Sequence, residues 1–163
     1  MDQLLETPDE VVNACADAAR LAPVDPPVNL APDPITPGVP AWHRFESEAW
    51  AIGEKVRRSL SERPVLRRHA AVQRAILDAV NTPHLKRGRQ AFVMALGFSA
   101  AAPHAAALVP LLADPDVHGH VIDTLLKMRV HSYDAAVRPL LDAEHAWIRR
   151  LARRYVVRSA VAS

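Results

Sequence analysis

From residue 41 onward the apolar side chains recur every three or four positions and nowhere alternate singly. That spacing fits helices that each bury one face and leaves no segment patterned as a strand. Trp42, Phe45, Ala49, Ile52, Val56 and Leu60 form one such stripe. Pro64 suits a first helical position and predicts a second helix with Val65, Leu66, His69, Gln73, Ile76, Leu77 and Val80 on one face. Asn81-Thr82-Pro83 breaks it; Leu85, Ala91, Phe92, Ala95 and Leu96 resume the period up to Gly97, near a helix end. Beyond Pro103 four shorter helices are predicted, over 105–113, 117–128, 133–143 and 146–158. Half of the chain is hydrophobic but only 5% is aromatic, a mix that suits close-packed helices. The expected fold class is therefore all-α.

The first 40 residues read differently. Thr7-Pro8-Asp9-Glu10 predicts a helix start: Thr7 caps, Pro8 takes the first turn and Glu10 reaches back in a capping box. The helix should run through Val11, Val12, Cys15 and Ala19 to about Leu21. Seven prolines follow by residue 40 (Pro23, Pro26, Pro27, Pro32, Pro34, Pro37, Pro40), which no helix or ladder survives. The segment is expected to be an extended linker or a strap across the fold. It is also acidic: Asp2, Glu6, Asp9, Glu10, Asp17, Asp25 and Asp33 against Arg20 alone give −6, so residues 41–163 carry +8 of the overall +2. An acidic arm over 1–40, folding over a basic helical domain over 41–163 and shielding its arginines, is the expected organisation. Cys15 is the single cysteine, which fits a reducing, cytoplasmic setting. No apolar run is long enough to span a membrane, and the N-terminus is not patterned as a secretory signal.

Two segments match each other. Leu108-Val109-Pro110-Leu111-Leu112 parallels Val137-Arg138-Pro139-Leu140-Leu141 at an offset of 139 − 110 = 29. Acidic turns follow, Asp114-Pro115-Asp116 and Asp142-Ala143-Glu144, and then second helices opening at Val117-His118 and Ile148-Arg149. Such periods mark stacked supersecondary units that cannot bury their apolar faces alone. With Pro110 and Pro139 in the first helix, Asp114 and Asp142 in the turn and Arg149 at the second helix, residues 105–158 resemble short HEAT or HEAT-like (PBS-lyase-like) repeats. His118 stands where that pattern has a base, and 64–97 resembles a more degenerate pair. The resemblance implies a short α-solenoid of antiparallel helix pairs whose second helices line a concave surface. On that expectation Arg87, Arg89, His118 and Lys127 would share a surface with the C-terminal arginines.

Those arginines stand out on their own. Trp147, Ile148, Leu151, Ala152, Tyr155 and Val156 form an apolar stripe, and Arg149, Arg150, Arg153, Arg154 and Arg158 lie off it, with no acid from 145 to the end. Guanidinium forks pair oxyanions bidentately, so a face for acidic protein groups or nucleic-acid phosphates is one reading. A solvated face complementing the helix dipole is the other. Trp50 falls off its helix stripe and is either a partner contact or the seat of the strap. No cofactor or metal site is expected: His118 and His120 diverge by ~200° on a helix and no zinc spacing occurs. No nucleophile elbow or phosphate loop appears, and Cys15 on an acidic helix should be inert. Asp123 is the one acid–base candidate. The leading expectation is a non-catalytic scaffold for a protein with an acidic surface. The alternatives are a nucleic-acid-binding protein, as in HEAT-like DNA glycosylases, and a small helical enzyme or maturation factor.

Overall fold

The computed structural model describes residues 3–32, 34–35, 38 and 40–162, and among them every regular element is helical. Asp2, Asp33 and Pro37, counted above in the acidic segment and the strap, lie outside the described residues. The helices are α1 (Pro8–Arg20), α2 (Arg44–Glu62), α3 (Ala70–Val80), α4 (Gln90–Ala95), α5 (Ala105–Leu108), α6 (His118–Met128), α7 (Asp134–Val137) and α8 (Ala146–Ala162). Tighter 3₁₀ turns cover Pro64–Arg68, Pro83–Arg89, Ser99–His104, Val109–Ala113 and Arg138–Asp142. No described helix is long and apolar enough to cross a membrane.

Local chemistry explains most boundaries. Thr7 accepts from the Glu10 amide while the Glu10 carboxylate accepts from the Thr7 amide, completing the expected capping box of α1. Pro110 and Pro139 cannot donate a backbone bond, and each sits one residue into a 3₁₀ turn that follows a single α-turn. The sequence offset therefore recurs in the elements: 134 − 105 = 29 for the α-turns and 138 − 109 = 29 for the 3₁₀ turns. The single helix expected from Pro64 is broken at His69, whose extended backbone separates a 3₁₀ turn from α3. Val65 and His69 are consequently exposed rather than on the buried face.

Packing joins the elements in sequence. α1 lies against α2 and α3, α2 against α4, α4 against α6 and α6 against α8. The turns over 99–113 back onto α6, and those over 134–142 back onto α8. One apolar core runs through all of them, from Val11, Cys15 and Ala18 through Ile76, Phe92 and Leu108 to Ile122, Ile148 and Tyr155. Several buried polar groups are bonded across it. Thr124 donates to the Val93 carbonyl (3.0 Å), and the Gln73 amide donates to the Arg67 carbonyl (2.6 Å) while its oxygen meets His104 (3.0 Å).

The first 40 residues are not a separate arm. Val11, Cys15 and Ala18 are core residues shared with α3, because an amphipathic helix of this length must bury its apolar side somewhere. The described residues of the strap form no helix, and Pro32 and Pro40 meet in an isolated antiparallel bridge. His43 bonds the Val28 carbonyl (2.8 Å), His84 the Pro23 carbonyl (2.8 Å), and Lys86 donates to Asn29 (2.6 Å). The strap thus crosses the 83–89 turn and the start of α2. None of these contacts uses an acid, and none involves α8. The one described acid of this segment that pairs with a base beyond it is Glu6, with Arg63 (2.7 Å).

Candidate functional site

The basic residues singled out by the sequence do not share one surface. Arg87 and Arg89, expected on an open surface, are internal. Glu46 is 0% exposed and opens α2, where its carboxylate accepts from the His43 amide (2.8 Å). The same carboxylate accepts from the Arg87 backbone and side chain (both 3.1 Å). Arg87 also donates to the Pro40 (2.7 Å) and Ala41 (2.8 Å) carbonyls, and its guanidinium lies 5.0 Å from the Trp42 ring centroid. Arg87 therefore closes the strap onto α2, and Trp42 rather than Trp50 is the ring at that junction. Trp50 is half-buried on α2.

Arg89, 1% exposed, donates to Asp114 (2.6 Å) and to the Lys86 carbonyl (2.9 Å), with Asp116 at 3.9 Å. Asp114 and Asp116 form the turn into α6, and Asp114 also accepts from the Asp116 amide (2.9 Å). Burial raises the Asp116 carboxyl above its ordinary range, with Lys86 and Arg89 opposing and Asp114 and Glu46 adding to the rise. Two arginines that sequence placed on a ligand surface thus tie the 83–89 turn to α2 and to the turn before α6. A buried guanidinium must find carboxylate and carbonyl acceptors, and these turns supply them.

His118 opens α6 half-buried, and burial pushes its imidazole below the ordinary value against the pull of Asp114 and Asp116. His120 is lowered the same way, chiefly by burial, with Asp123 opposing. Asp123 pairs with Lys127 (2.6 Å), four residues on along α6. Cys15 is buried, and desolvation, helped by Asp78, pushes its thiol up to about 12. Among the described residues no group of three or more His, Cys, Asp or Glu side chains is placed to hold a metal ion.

Open cations are scattered over the molecule, Arg58, Arg68, Arg74 and Arg129 among them, and their densest run is on α8. Ile148, Ala152, Tyr155 and Ser159 are its buried face. Arg149 is half-buried and donates to the Ala143 (2.7 Å) and Glu144 (2.6 Å) carbonyls, closing the turn before the helix. Arg150, Arg153, Arg154 and Arg158 are exposed, and none forms an ion pair among the described residues. Trp147, Arg150, Leu151 and Arg154, at positions i, i+3, i+4 and i+7, line a hollow of about 370 Å³. Trp147 is seated from below. Its ring lies over Gly119, where a β-carbon would come within 2.2 Å of it, and 5.3 Å from the His120 ring. The sequence assigned Trp147 to the buried stripe; it is 38% exposed, and Val157 and Val161 near the end of α8 are 64% and 85% exposed.

Comparison with models of known protein families, with curated proteins and with solved structures gives no match to this chain.

Proposed function

We propose that this chain is a short HEAT-like repeat module that binds an acidic protein partner through the exposed side of α8. The repeat reading is supported by the 29-residue recurrence of an α-turn and a proline-bearing 3₁₀ turn, and by the order in which α2, α4, α6 and α8 pack. It is supported too by Arg89 reaching the acidic turn of the following unit, the place the pattern gives to an arginine–aspartate link. Each pair then stacks on the last, as in other solenoids.

One observation carries the binding reading: four exposed arginines without ion-pair partners stand beside a partly exposed tryptophan and leucine. Arginine and tryptophan are the residues that concentrate binding energy at protein interfaces, and a guanidinium without a carboxylate of its own is available to a partner's. A purely phosphate-binding face has no need of the apolar hollow. The reading is of a binding module rather than an enzyme, and the buried thiol of Cys15 is in keeping with a cytoplasmic setting.

The test is fluorescence anisotropy with two labelled probes, a peptide alternating glutamate with leucine and a duplex DNA, at ~50 mM salt. The peptide should bind more tightly, and the Arg150→Gln/Arg153→Gln/Arg154→Gln/Arg158→Gln variant should bind it at least about tenfold more weakly. Tighter binding of the duplex, with a steep salt slope, would give the face to nucleic acid instead. Equal binding of the peptide by wild type and variant would remove α8 from consideration.

A further inference from the structure

A second basic site lies away from α8. Arg57, Leu60 and Ser61 at the end of α2, Arg67, the stretch 94–98 without Leu96, and Lys127 of α6 line a cleft of about 160 Å³. Its lining holds three cations and no acid. The cleft stands where α2 and α4 end, so part of this basic character answers helix carbonyls: Arg67 Nε donates to the Leu60 carbonyl (2.8 Å). The remainder is unused. Arg67 is half-buried, and its two terminal nitrogens bond no protein acceptor among the described residues. Its guanidinium is held 5.7 Å from the Phe98 ring centroid. Arg57 spends Nε and one terminal nitrogen on Glu54 (2.8 and 2.6 Å) and keeps the other. Lys127 gives one of its three protons to Asp123 and its stem runs beside Gly97, where a β-carbon would come within 3.0 Å of it.

We propose that this cleft binds a phosphate monoester dianion. A phosphoryl group presents three strong acceptor oxygens. The fork of Arg67, the spare nitrogen of Arg57 and the ammonium of Lys127 can each meet one of them, at a site too small for a bulky ligand. Glu54 and Asp123 already offset two of the three cations, so the number of oxygens decides: a planar carboxylate has two and leaves one of the three donors without an acceptor. The Ser61 hydroxyl, which donates to the Arg57 carbonyl (3.1 Å), keeps Arg57 tied to the end of α2.

The test is an amide NMR titration with O-phosphoserine and with glutamate at constant ionic strength. O-Phosphoserine should shift the Ser61, Gly97 and Phe98 amides saturably, and glutamate should bind at least about fivefold more weakly. Affinity for O-phosphoserine should fall similarly at about pH 5, below its second ionisation near pH 6. Lys127→Gln, at an exposed position, should weaken binding at least about threefold, and so should Arg67→Lys, which keeps the charge and removes the fork. Arg150→Gln/Arg154→Gln should bind as wild type does. Equal affinity for glutamate, shifts confined to α8, or wild-type binding by both Lys127→Gln and Arg67→Lys would overturn the proposal.

Discussion

Asp114→Asn and Arg89→Met should have unequal effects on stability, although they remove the two ends of one ion pair. Arg89 is 1% exposed, whereas the Asp114 and Asp116 side chains are 27% and 26% exposed. Neutralising Asp114 leaves a buried guanidinium with the Lys86 carbonyl and, at 3.9 Å, Asp116. Breaking a buried pair from one side costs about 3–5 kcal/mol, and the remaining carboxylate brings the expectation down to about 2–3 kcal/mol. Removing Arg89 instead leaves two carboxylates that water can reach and puts an apolar chain in place of the guanidinium. Its cost is the lost bond to the Lys86 carbonyl, about 1 kcal/mol. The double variant should then resemble Arg89→Met alone, a coupling of about 2 kcal/mol. Urea unfolding at pH 7, followed by far-UV circular dichroism, measures all four proteins, and asparagine keeps the turn oxygen that accepts from the Asp116 amide. Arg89→Met costing as much as Asp114→Asn, or single effects that simply add, would refute the claim that desolvation of the guanidinium dominates this junction.

Other expectations follow from single contacts. Gly119→Ala puts a methyl within 2.2 Å of the Trp147 ring, so thermal stability should drop by about 1–3 kcal/mol and the Trp147 indole resonance should move. An unchanged resonance would mean that the ring is not seated there. Burial lowers His118 and His120, so below their ordinary value near 6.5 the unfolded chain binds more protons than the native one. Stability should be fully present above about pH 6.5 and lost as the pH falls through the lowered values; His120→Gln should flatten that slope in acid unfolding curves. Arg129 ends α6 with a φ of +62° and is exposed, so Arg129→Gly should raise stability by about 1 kcal/mol in the same urea assay.

Helix period and proline chemistry are written locally, which is why the all-helical class, the α1 capping box and the four short C-terminal elements are legible in the sequence. Pro110 and Pro139 mark where α-turns give way to 3₁₀ turns because a missing N–H acts on its own residue and nowhere else. The expected end of α6 at residue 128 matches the structure, although the left-handed residue that closes it is Arg129 rather than a glycine. The 1–40 boundary misled because the prolines describe only the strap and most of the acids lie in or before α1, while α1 packs on α3, 50 residues or more along the chain.

The site was legible only where burial could be read from a helix face. Arg150, Arg153, Arg154 and Arg158 lie opposite an apolar stripe, and a helix period suffices to place them outside. Arg87 and Arg89 sit in a 3₁₀ turn with no such period, so four basic or small residues in a row looked like a surface cluster. One residue in that run argued otherwise. At Gly88 a β-carbon would come within 2.9 Å of the Glu46 carbonyl and 3.0 Å of the Ala49 β-carbon. Glycine there lets the turn lie directly on α2. A backbone pressed that closely against a helix carries its neighbours inward. An arginine carried inward needs a carboxylate, and Glu46 and Asp114 were the acids left to find. A glycine inside a basic run is thus a reason to look for internal acids before assigning the run to a ligand. The arginines of α8, with no glycine among them and no acid after Glu144, offer no such reason.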